Sequence, residues 1–153
     1  MEFVLLWMLQ DLLTVLLGGV MQVPEFFMLG VVYRLLIAYE GEDRVWAIWT
    51  AFGGGLLWDL RWFGIPGFFT LGYVAVTILS LRIWNAVPVQ GRTPLVVFVL
   101  LEAAQVIPPL IPVLILGGNT GWGFFLIQQL CALPALLLCL CLYSRRMKDD
   151  IHA

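Results

Sequence analysis

PLVVFVLLEAAQVIPPLIPVLIL, residues 94–116, carries one charged side chain, Glu102, in a stretch of 23 residues. A helix needs about 20 apolar residues to cross the ~30 Å hydrocarbon layer of a bilayer. Five further apolar runs surround this one: Phe3–Met21, Pro24–Tyr39, Val45–Leu60, Pro66–Trp84 and Trp122–Tyr143. A soluble domain of 153 residues can bury one or two helices of this kind, not six. With 62% hydrophobic and 12% charged residues, the chain can satisfy its backbone only as helices in lipid. The expected fold is all-α: an integral membrane bundle of six transmembrane helices, residues 1–153 forming a single polytopic domain with no soluble domain. The run 45–60 is short for a span, so its helix is expected to recruit Arg61 to Phe63 or to sit where the bilayer is thin.

The longest segment between runs, Asn85 to Thr93, is too short to fold alone. The first run makes a poor cleavable signal, because Glu2 stands where a basic region belongs and Gln10 and Asp11 interrupt the apolar stretch. It reads as a retained helix.

Basic residues set the expected orientation. With both termini in the cytoplasm, that side holds Arg44, Arg82, Arg92, Arg145, Arg146 and Lys148, and the other side only Arg61. Trp46, Trp62, Trp84, Trp122 and Tyr143 lie near run ends, as interfacial anchors do. Pro108, Pro109 and Pro112 each remove a backbone donor from the fifth run, which predicts a kink or a break there. A five-span count, with the termini on opposite sides, is the competing topology.

Catalytic chemistry has no foothold in this sequence. His152 is the one histidine, and no His/Cys/Asp/Glu set has ligand spacing, so no metal and no cofactor is expected. Cys131, Cys139 and Cys141 form no CxxC pair and read as small side chains facing helices or lipid. Gly53-Gly54-Gly55 lacks the Gly-Lys-Ser/Thr ending of a phosphate loop. A formal net charge of -2 and the lack of a basic stripe argue against nucleic acid as a partner. The chain reads as no enzyme.

Charges inside the apolar runs need an account, since each costs about 2.5 kcal/mol or more at mid-bilayer. Counted from run ends, Asp11, Arg34 and Glu102 fall into one layer, roughly 9–12 Å from the cytoplasmic boundary. A structural clasp, with Arg34 satisfying one or both carboxylates, is preferred to a proton or ion relay, because no further acids continue across the membrane. Snorkelling of Arg34 to the surface is a third arrangement. In the third run Ala47, Ala51, Gly55 and Asp59 recur every four residues. This small-xxx-small seam admits a close neighbour and is the expected partner-binding set. Asp59 at its end either meets water or pairs locally with Arg61, or makes a specific contact with a partner.

The stretch 24–73 resembles the rod shape-determining protein MreD family. The resemblance rests on Pro24-Glu25-Phe26-Phe27, on Val31-Val32-Tyr33, on Gly54-Gly55-Leu56-Leu57-Trp58-Asp59-Leu60, and on Gly64, Gly67, Leu71 and Tyr73. Glu25 stands where the family more usually has Asp, and the last two runs carry no matching motif. The resemblance implies a non-catalytic, multi-pass protein of the bacterial inner membrane, both termini cytoplasmic, in the machinery of cell elongation and peptidoglycan synthesis. It implies an MreC-like single-spanning partner, and beyond it a RodA-type polymerase and a penicillin-binding transpeptidase, with membrane lipid around them. The layout is also similar to the substrate-binding components of energy-coupling-factor vitamin transporters. On that alternative, Trp58, Asp59, Arg61 and Trp62 would line a ligand pocket.

Overall fold

The computed structural model describes residues 2–18, 21–38, 41–63, 67–116 and 119–152. Tyr39, Gly64, Pro66 and Ala153 lie outside the described residues. Within them the fold is all-helical, with six α-helices: α1 (Glu2–Leu17), α2 (Phe26–Ile37), α3 (Gly41–Trp58), α4 (Phe68–Ala86), α5 (Pro94–Leu116) and α6 (Asn119–His152). Three helices contain stretches long and apolar enough to cross a membrane: Phe68–Ala86, Pro94–Ile111 and Trp122–Met147. The first half of the chain is less regular than its apolar runs predict. Its second run becomes a helix of only 12 residues, about 18 Å at 1.5 Å per residue.

That short helix is the centre of the molecule. α2 packs against all five other helices. Phe27, Met28, Leu29, Val31, Val32, Leu35 and Leu36 are all buried. Residues 23–25, which precede α2 without helical structure, are buried too. Buried backbone outside a helix is tolerated where the surrounding protein supplies its hydrogen bonds.

α3 does recruit the residues that follow it. Asp59–Phe63 continues the helix as a π-helical turn. Such turns widen the helix locally and re-aim its side chains. Gly67 then begins α4 with a φ of 127°, in a region that L side chains rarely adopt.

Of the kink or break expected in the fifth run, the break does not occur: α5 is helical from Pro94 to Leu116. Pro109 removes the amide that would bond the carbonyl of Gln105. The side chain of Gln129, on α6, donates to that carbonyl at 3.3 Å. A neighbouring helix thus replaces one of the missing donors.

Candidate functional site

Asp59 is completely buried and its carboxylate is saturated with donors. Oδ2 accepts from the backbone amides of Gly67 at 2.8 Å and Thr70 at 3.0 Å, and from the Thr70 hydroxyl at 2.7 Å. Oδ1 accepts from the amide of Phe69 at 2.8 Å. These are the orphan amides of the first turn of α4. Gly67 has no side chain to cap them, so a carboxylate from the preceding π turn does it. A negative charge is also favoured at the positive end of the helix dipole.

The seam that leads to Asp59 is internal. Ala47 is 2% exposed, Ala51 is fully buried and Gly55 is buried. A Cβ on Gly55 would come within 2.6 Å of Thr70 Cα and 2.9 Å of Thr70 N. At Gly55 and Asp59 the close neighbour is therefore α4 of the same chain, and Ala47 and Ala51 are buried within that chain as well. As a partner-binding set these four residues are corrected: their surface is already used.

A second buried carboxylate anchors the entry to α2. Glu25 Oε2 accepts from the Gln10 side-chain amide at 2.8 Å and from the Tyr73 hydroxyl. The side chain of Gln105 pairs with both backbone groups of Glu25, its Oε1 accepting from the amide and its Nε2 donating to the carbonyl, each at 3.0 Å. Gln10 Oε1 accepts from the Phe27 amide at 2.9 Å, and Gln128 donates to the Val23 carbonyl at 2.8 Å. One polar layer thus ties α1, α2, α4, α5 and α6 around residues 23–27. Tyr73 joins the two carboxylates, since its ring meets Phe69, next to the Asp59 cap, at 5.8 Å and Phe27 at 5.9 Å.

The expected clasp of Asp11, Arg34 and Glu102 does not form. Asp11 instead accepts from Arg61 Nε at 2.6 Å and from the Trp62 indole at 3.1 Å. This is the ion pair found among the described residues. Arg34 is exposed in the last turn of α2. Glu102 is half-buried, and its Oε2 has no partner among the described residues. The depth argument fails because α1 stops at Leu17 and α2 starts at Phe26. Gln10 and Glu25 are level with each other through their hydrogen bond. Arg34, nine residues beyond Glu25, then lies about 13 Å away along the axis of α2.

Reading the runs for charge missed Gln10, Gln105, Gln128 and Tyr73 as members of a common layer. A signal was present, because an uncharged amide inside an apolar run also demands a partner. Among the described residues no group of three or more His, Cys, Asp or Glu side chains could hold a metal. An apolar cleft of about 140 Å³ lies between α1 and α3, lined by Phe3, Val4, Trp7, Phe27, Gly54 and Leu57 among others. No protein-family model, curated protein or solved structure matches this chain.

Proposed function

We propose that this chain is a non-catalytic, six-span scaffold of the bacterial inner membrane, similar to MreD, with both termini cytoplasmic. It serves the cell-elongation machinery by binding an MreC-like single-spanning protein. One observation carries the reading. Residues on which the resemblance rests are joined into one frame through Phe69, which lies outside that set: Glu25 bonds Tyr73, Tyr73 packs on Phe69, and Phe69 is capped by Asp59 beside Gly55. Residues that build a frame, rather than a reacting centre, suit a scaffold. The partner docks outside this frame, on a lipid-facing surface.

The vitamin-binding alternative rests on Trp58, Asp59, Arg61 and Trp62. Trp58 and Asp59 are buried, both oxygens of Asp59 are occupied, and Arg61 and Trp62 bond Asp11. That leaves little of the set for a ligand and weighs towards the scaffold. Depletion in the host separates the two. Loss of rod shape with normal vitamin uptake is the expected result. Normal shape with loss of uptake of one vitamin would replace the scaffold reading. Co-expression with the host's MreC-like protein should yield a complex in mild detergent, and separate elution of two folded chains would remove the named partner.

A further inference from the structure

Glu25 anchors the frame, yet nothing around its side chain compensates a negative charge. It lies in the non-helical stretch before α2 and is 3% exposed. Its two side-chain hydrogen bonds, from the Gln10 amide at 2.8 Å and from the Tyr73 hydroxyl, both end on Oε2. Among the described residues Oε1 accepts none. Both donors are neutral, and the ion pair among the described residues joins Arg61 to Asp11, not to Glu25.

Asp59 shows what a buried carboxylate needs to keep its charge: four donors spread over both oxygens, at the positive end of α4. Glu25 also stands at a helix start, but its side chain makes no capping bond. The amide of Phe27, in the first turn of α2, goes to the neutral Gln10 Oε1 at 2.9 Å instead. Around Glu25, α1 presents Gln10, α4 Tyr73, α5 Gln105 and α6 Gln128. The next titratable groups are acids: Asp59, joined to Tyr73 through Phe69, and Glu102, one turn before Gln105. Asp11, beside Gln10, is occupied by Arg61. Arg34 lies about 13 Å away along α2. A carboxyl buried without a cation is far cheaper to keep as the neutral acid.

We infer that Glu25 is a proton-binding site. In the folded bundle its carboxyl holds a proton on Oε1, and Oε2 serves as the carbonyl oxygen that accepts from Gln10 and Tyr73. In the unfolded chain the same group is an ordinary carboxylate, ionised at neutral pH. Folding therefore takes up one proton here, and stability falls as pH rises. Release of the proton puts an uncompensated charge where α1, α2 and α4 meet, which loosens the entry to α2. This rests on the hydrogen bonds around Glu25 and not on the identity of a protein partner.

The test is infrared spectroscopy of the purified full chain in mild detergent at neutral pH, with Glu25→Gln as the reference. The difference spectrum should contain the carbonyl stretch of a protonated carboxyl. Carboxylate bands in its place would overturn the inference. Tyr73→Phe removes one donor from Oε2 and should move the protonated band to higher frequency, an assignment that holds even if Glu25→Gln does not fold. An unmoved band would give the proton to another acid and overturn the site. Glu25→Gln keeps a carbonyl for both bonds, so its melting temperature should stay near the native value while that of Asp59→Asn falls. Equal losses would mean that Glu25 works as an anion. From about pH 5.5 to 6.5 the folding equilibrium of the native chain should fall roughly five- to tenfold relative to Glu25→Gln, close to the limit for one proton. A ratio that stays constant or rises across that range would overturn the proton.

Discussion

Asp59 and Asp11 are two aspartates at neighbouring places in the fold, joined through Arg61 and Trp62, and they do opposite kinds of work. Asp59 is 0% exposed and takes three backbone amides and a hydroxyl from one helix end. The Asp11 side chain is 16% exposed and takes its partners from the tip of a π turn, where the Arg61 side chain is 52% exposed. Backbone donors cannot rotate away, and a buried carboxylate has no water to fall back on. Side-chain donors at a boundary have both escapes. The difference teaches that position within the packing, not formal charge, separates a residue that defines the fold from one that decorates it.

The largest test of that contrast is Asp59→Ala. It leaves the first-turn amides of α4 buried without acceptors, at a cost of roughly 3 kcal/mol. Thermal unfolding in mild detergent should show this loss, with Asp59→Asn losing less because one oxygen is kept. A melting temperature unchanged in Asp59→Ala would mean that the cap contributes nothing. Gly55→Leu comes next, at about 2 kcal/mol, since its side chain must push against the backbone of Thr70. If it folds with native stability, α3 and α4 do not depend on their close approach.

Gln105→Leu extends the comparison to an uncharged residue. It leaves the amide of Glu25 unpaired and removes one donor from its carbonyl, which also accepts from Leu29. The expected loss is about 2 kcal/mol. Gln129→Leu should cost less, about 1 kcal/mol, because its 3.3 Å bond serves a single carbonyl in α5. Equal losses in the two variants would show that the layer around Glu25 is no more critical than the repair beside Pro109.

Much of the fold was legible because apolar runs and helix positions follow the same demand for internal hydrogen bonding. All six runs contain helices, and the extension of α3 to Phe63 follows from the shortness of its run. Starts and stops were not legible. The run from Pro24 reads as apolar throughout, yet residues 23–25 are held out of helix by side chains from α1, α5 and α6. The same distance in sequence hides Gln129 from Gln105, so the prolines of α5 predict a kink or a break, and the helix is not broken. Ala47, Ala51, Gly55 and Asp59 were found as a seam, because four-residue spacing is a local property. Which helix fills a seam is not local, and α4 fills the Gly55–Asp59 end of this one.

The smallest expected effect belongs to Asp11 and Arg61. Asp11→Asn and Arg61→Gln should each lower stability by no more than about 1 kcal/mol, the range of exposed ion pairs. A double-mutant cycle gives the coupling free of each residue's other contacts. That coupling should shrink as salt is raised from low to high concentration, because the Arg61 side chain lies open to its surroundings. Asp59→Ala should keep its full effect across the same salt range, since its partners are buried dipoles rather than an exposed charge. Trp62 supplies a further check. Its indole donates to the same Asp11 oxygen at 3.1 Å, so Trp62→Phe should weaken the coupling without abolishing it. A coupling above about 3 kcal/mol, the scale of a broken buried pair, with no salt dependence would erase the contrast. Asp11 would then be as much a part of the frame as Asp59, and the contact between α1 and the π turn would be a second anchor of the bundle.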